Sequence, residues 1–133
     1  MISVVLVVQQ NESAELARTL QNLVTYAIDG FVVDVTLMHD SLDDTTRLLA
    51  DEAGCMLRDQ NAGLAPVLDE ARGDWLLFMD PGSTLEAGWA DVVNAHAVAD
   101  GGAAYFQFAV LDAHSWWRCI LMPGTHKSPL ARG

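Results

Sequence analysis

The chain has 133 residues and a mass of 14.4 kDa, with 51% hydrophobic and 19% charged residues. That is enough for one core of its own, too apolar for a disordered chain, and no apolar run reaches the eighteen or so residues of a membrane span. Eighteen acids against seven bases give a formal net charge of -11, and with Lys127 as the only lysine a nucleic-acid partner is excluded, because phosphate backbones are bound by clustered Lys and Arg.

The amino end, "MISVVLVVQQ", lacks the basic region and small-residue cleavage site of a leader peptide, so the expectation is a soluble, cytoplasmic protein. Its "ISVVLVV" is a continuous run of β-formers, as in a strand covered on both faces of a parallel sheet. The run ends at Gln9, Gln10 and Asn11. Ser13 then stands where a helix cap belongs, Leu16, Leu20, Leu23 and Val24 recur at helical spacing, and Asp29-Gly30 closes the segment.

"FVVDVTLM" predicts a second strand and "DDTTRLLADEAG" a second helix that stops at Gly54. "CMLRD" is a short third strand, "QNAGLAPVLDEARG" a loop leading into a helix, and "DWLLFM" a fourth, most hydrophobic strand. Beyond Asp80, "TLEAGWADVVNAHAVA" reads as helix and "AAYFQFAVLD" as strand, while "SWWRCILMPGTHKSPLARG" is too irregular to assign. Strands alternating with helices predict an α/β fold, Rossmann-like, with a mainly parallel sheet and right-handed crossovers.

In such a sheet, ligands bind beyond the carboxyl ends of the strands. Those ends offer Gln9 and Asn11, then His39 and Asp40, then Arg58 and Asp59, and finally Asp80. Each has a plain structural alternative. Asp80 before Pro81-Gly82 is good turn chemistry, Asp40 with Ser41 suits a helix cap as well as a base or ribose, and Asp43 and Asp44 complement a helix dipole. His39 is either a phosphate donor or a solvated strand end. Trp75 and Trp89 are core anchors rather than sugar platforms, and Cys55 and Cys119 match no metal or redox spacing. Trp116 and Trp117, near Arg118 and Lys127, offer a contact surface for an acceptor, a membrane or a protein partner.

Taken together, the strand ends resemble the nucleotide-sugar-binding half of a family 2 glycosyltransferase with the GT-A fold. Its V-S-V-V-I-P opening is matched by "ISVVLVV" and its V-D-D-G-S-T-D-G-T by "MHDSLDDTT", where His39 replaces the first acid and Asp40 and Asp44 keep the second and third. Its A-R-G-D/E-(aromatic)-L-L-F-L-D-A-D is matched by "ARGDWLLFMDPGS". The resemblance covers roughly residues 2 to 111 and is most specific over 71 to 80.

The resemblance implies a nucleotide-binding half over residues 1–80 and an abbreviated acceptor-side region over 81–133, together one truncated domain. It implies transfer of a sugar from a nucleotide-diphospho donor to an acceptor hydroxyl, with Gln9, Asn11, His39 and Asp40 around the nucleotide. Asp80 would lie at the diphosphate and hold Mg²⁺ or Mn²⁺, which stabilises charge on the leaving group. Two departures stand against activity. The D-x-D position reads Asp80-Pro81-Gly82, so one acid is gone, and the later acids, Glu86, Asp91, Asp100 and Asp112, lie in nothing like the family's E-D motif that carries its base. No catalytic residue is therefore assigned. The alternatives are a degenerate, non-catalytic GT-A-like module for nucleotide or protein binding, and a receiver-type regulatory domain, which lacks its lysine here.

Overall fold

The computed structural model describes residues 1–83, 85, 88–98, 104–105 and 120–123. Strands β1 (Ile2–Val8), β2 (Val32–His39), β3 (Met56–Asp59) and β4 (Trp75–Met79) alternate with helices α1 (Ser13–Ile28), α2 (Asp44–Ala53) and α3 (Ala65–Glu70). Helix α4 (Trp89–Val98) and two further strands, β5 (Ala104–Tyr105) and β6 (Ile120–Pro123), come after them. The sheet runs β3-β2-β1-β4-β6-β5. Its first four strands are parallel, and β6 joins β4 antiparallel.

Alternation along β1 sorts the core into two layers. Ile2, Val4, Leu6 and Val8 pack with Leu16 and Leu23 of α1, Ala50 of α2, and Trp89 and Val93 of α4. Val5 faces the other way, with Met38, Leu76, and Val67 and Ala71 from α3 and its exit. This is a consequence of strand order: β1, β2 and β3 advance in one direction, so right-handed crossovers put α1 and α2 on one face, and the return from β3 to β4 puts α3 on the other. Trp89, 1% exposed, anchors the first layer with its ring edge-on to Tyr26 and Phe31 at centroid distances of 4.8 and 5.4 Å. Trp75 is also buried, so both tryptophans are core residues, as their sequence setting suggests.

The A-R-G-D segment has a structural explanation at the amino end of β4. Gly73 donates its N–H to Ser3 Oγ at 2.9 Å, and a Cβ on it would lie 2.4 Å from Ser3 N and 2.6 Å from the Ile2 carbonyl carbon. Only glycine fits there. Arg72 ties the same corner to β2, its N–H donating to Asp34 Oδ2 at 3.0 Å and Nη2 to the Val33 carbonyl at 2.6 Å.

Two expectations need correction. Ser13 is the first residue of α1, whose cap position is Glu12 with no side-chain cap bond; Glu12 Oε1 reaches back to Gln9 N–H at 2.6 Å instead. The irregular segment at the carboxyl end contains β6, an antiparallel strand paired with β4. The strand read over "AAYFQFAVLD" is described only as β5, the rest of it lying outside the described residues. So do Trp116, Trp117 and Cys119.

Candidate functional site

Residues from the carboxyl ends of β1, β2 and β3 converge on one cleft. Val8, Gln9, Gln10, Asp40, Ser41 and Gln60 line it, enclosing about 310 Å³. The loop after β1 makes a sharp corner in which Asn11 takes the left-handed conformation, φ 64°, which asparagine tolerates better than most residues. That corner is tied to the loop after β2: Gln10 Nε2 donates to Ser41 Oγ at 2.7 Å, and Asn11 N–H to Asp43 Oδ2 at 3.3 Å. Asp43 also caps α2, its Oδ1 accepting from Thr46 N–H at 2.8 Å. The Thr46 side chain and N–H, with help from Asn11 N–H, hold the Asp43 carboxyl below its ordinary value of 3.8.

Asp40 is exposed and its Oδ1 accepts from Asn61 Nδ2 at 3.1 Å. Asn61 is set by the turn after β3, its N–H donating to Asp59 Oδ1 at 2.9 Å. The cleft thus presents side-chain amides, a hydroxyl and one carboxylate, all able to exchange hydrogen bonds with a polar, planar ligand.

Of the residues expected at the site, Gln9 and Asp40 line the cleft. Asn11 shapes its loop rather than its wall, and half-buried His39 at the end of β2 has its Nδ1 closed to solvent with no partner among the described residues. Arg58 is turned away, its guanidinium paired with Glu70. Gln60 and Glu12 are absent from the sequence-based expectation. Gln60 is the first residue after β3, so extending every strand by one residue would have found it. Glu12 carries no signal in the sequence, since its role depends on the Asn11 corner.

Asp80 ends β4 on the far side of β1 from the cleft. Strand order reverses between β1 and β4, which is where such sheets open their crevice. Beside that point, α1 and the turn after Asp80 are joined by hydrogen bonds. Thr19, fully buried, accepts from Gly82 N–H at 2.8 Å and donates to the Ser83 carbonyl at 2.9 Å. Gly82 N–H also reaches the Glu15 carbonyl at 3.1 Å, and Ser83 N–H closes the turn on the Asp80 carbonyl at 3.2 Å. Asn22 brackets Leu85 from both sides, accepting from its N–H at 2.8 Å and donating to its carbonyl at 3.4 Å.

This arrangement does not fit the divalent cation that the resemblance implies. Gly82 has φ +93°, and a Cβ built on it meets Glu15 Cβ at 3.4 Å and Cγ at 3.5 Å. A Cβ at 82 would stand against the Glu15 side chain of α1, on a backbone that favours glycine. Asp80 is half-buried and already engaged within the protein, and among the described residues no three His, Cys, Asp or Glu side chains are grouped to hold a metal ion.

No family model and no curated protein sequence matches the chain. Its fold is nevertheless shared with solved glycosyltransferases. Mannosyl-3-phosphoglycerate synthase from Rubrobacter xylanophilus aligns with a TM-score of 0.57 at 15% identity, over 73% of this chain and 36% of that one. Glucosyl-3-phosphoglycerate synthase from Mycobacterium tuberculosis, solved with Mn²⁺, UDP and glucosyl-3-phosphoglycerate, aligns with 0.55 at 19%, over 73% and 39%. The mannosyltransferase PcManGT from Pyrobaculum calidifontis, solved with GDP-Man and Mn²⁺, aligns with 0.58 at 19%, over 77% and 34%. The α/β arrangement is thus of the GT-A type. The chain spans little more than a third of the length of these structures. No described helix is long and apolar enough to cross a membrane.

Proposed function

We propose that this chain is a donor-binding domain of glycosyltransferase type, which holds the nucleoside end of a nucleotide-sugar in the cleft beyond β1, β2 and β3. The reaction such a site serves is transfer of the sugar to an acceptor hydroxyl. Asp40 accepts an N–H of the base or a ribose hydroxyl, and Gln9, Gln10 and Gln60 supply amides that donate and accept. One observation carries the reading: a polar cleft at the carboxyl ends of the strands, in a fold whose solved neighbours hold UDP and GDP-Man.

Calorimetric titration with UDP and GDP tests it. Micromolar to sub-millimolar binding (about -8 to -4 kcal/mol) that Asp40→Ala weakens supports the reading, and no heat with either ligand sinks it. A second reading, a non-catalytic GT-A module, rests on the bonding of the Gly82 backbone to α1 where the family pattern carries an acid. It is separated from the first by incubation with UDP-glucose or GDP-mannose: binding without release of UDP or GDP supports the module, and turnover supports the transferase.

A further inference from the structure

We infer that the cleft recognises the uncharged nucleoside, base and ribose together, without a divalent cation, and that the diphosphate of a nucleotide adds no affinity there. This rests on the reading of the cleft as a nucleotide site and specifies which part of the nucleotide the protein grips.

Phosphate is bound in α/β sheets by backbone N–H groups at the start of a helix, by guanidinium or ammonium groups, or through a metal ion. Each of these routes meets an obstacle among the described residues. In the loop leading into α1, Gln9 N–H already donates to Glu12 Oε1 and Asn11 N–H to Asp43 Oδ2. A phosphate arriving there would have to displace two of the protein's own carboxylates and then sit beside them.

The described guanidiniums are no better placed. Arg58 is held by Glu70, and Arg72 by Asp34 at the opposite end of the sheet. Arg47 opens onto a different groove, beside Asp44, Asp51 and Leu57. Arg18 lies on α1 and is absent from the cleft wall. The metal route fails at Gly82, whose backbone is bonded to α1 and whose missing side chain would point at Glu15. The protein's net charge of -11 adds a field that disfavours a polyanion.

What the cleft does offer is neutral: Gln9, Gln10, Ser41 and Gln60, with Asp40 as the one acceptor of full charge. Amides and a hydroxyl match base edges and ribose hydroxyls, and a carboxylate accepts from N–H or O–H without needing a cation.

The test is titration of the full chain with uridine, guanosine, UDP and GDP, each in EDTA and again with Mn²⁺. The expected result is that a nucleoside and its diphosphate bind within about threefold of each other and that Mn²⁺ changes neither by more than about twofold. A gain of roughly tenfold or more for UDP or GDP on adding Mn²⁺, or over the nucleoside in EDTA, overturns the inference while leaving the cleft a nucleotide site. Absence of binding by all four ligands overturns the underlying reading as well. Glu12→Gln, a change at the half-buried cap position of α1 checked for folding by its thermal melt, removes one of the opposing carboxylates. It should raise UDP affinity relative to uridine by about threefold; an unchanged ratio would refute carboxylate exclusion of the phosphate.

Discussion

Replacing Gly82 by Asp restores the acid spacing of D-x-D, and the backbone decides whether that acid can be used. At φ +93°, a residue with a Cβ is strained by on the order of 1–3 kcal/mol, offset by about 0.4–1 kcal/mol from the reduced freedom of the unfolded chain. The new Cβ meets Glu15 at 3.4 and 3.5 Å, at the limit of ordinary contact. Gly82→Ala should therefore lose about 1–2 kcal/mol. Gly82→Asp should lose more, because its carboxylate is directed at the Glu15 side chain.

With unfolding entropy near 2.1 cal/mol/K per residue, a chain of 133 residues converts 1 kcal/mol into about 3–4 °C of Tm. The Ala variant should then melt about 4–7 °C lower and the Asp variant lower still. Circular dichroism melts measure this, and titration with Mn²⁺ and UDP should show no metal-dependent binding in either variant. A Gly82→Asp protein of unchanged Tm, or one whose UDP affinity rises about tenfold with Mn²⁺, would show that a side chain at 82 can turn toward the crevice, and the reasoning would fail.

Gly73→Ala should destabilise by about 1–3 kcal/mol or more, read from urea unfolding, because its Cβ meets backbone atoms of Ile2 and Ser3 that cannot swing aside; unchanged stability would mean that the corner can open without cost. Asp43→Asn keeps a capping side chain but removes a group whose folded-state pKa is depressed. Such a group contributes stability above the ordinary carboxylate range and loses it as pH falls through its folded value, so the variant's Tm should fall less steeply below about pH 4; superimposable acid limbs would refute the assignment. Burial pushes the Cys55 thiol up to about 11, so in a Cys119→Ser background it should react with iodoacetamide far more slowly at about pH 7.5 than free cysteine, and labelling at the free-thiol rate would contradict that.

Most of the fold was legible because its signals are local. The apolar runs of β1 and β4 and the Gly54 stop of α2 need only near neighbours in sequence, whereas the cap of α2 is Asp43 and not Asp40 with Ser41. β6 was not legible: "ILMP" becomes a strand by pairing with β4, a partner some forty positions away. The most specific stretch of resemblance, A-R-G-D into β4, has a structural meaning of its own. Ala71, Arg72 and Gly73 fasten the amino end of β4 to β1 and β2, and the cleft lies at the opposite end of the strands. A family pattern can be strong there for reasons of packing and still say little about chemistry. The site was half-legible for a related reason. Gln9 and Asp40 are apparent from strand ends alone, whereas the commitment of Gly82 to Thr19 joins positions 63 apart and leaves no trace in spacing.

The two sides of β1 differ in how their polar groups are engaged. Toward β4, Thr19 and Asn22 serve the turn as a strand edge would, each exchanging hydrogen bonds in both directions with the backbone at 82, 83 and 85. Breaking that clamp to admit a diphosphate would expose polar groups that are satisfied only by one another, at about 1–3 kcal/mol for each buried group left unpaired. Toward β2, side-chain hydrogen bonds from Gln10 to Ser41 and from Asn61 to Asp40 join exposed groups that water or a ligand can replace at little cost. Binding is favoured where the rim is already ordered and its bonds are exchangeable. On the proposed reading, that asymmetry, more than the lost acid by itself, favours a ligand on the β1–β2–β3 side over one beside Asp80.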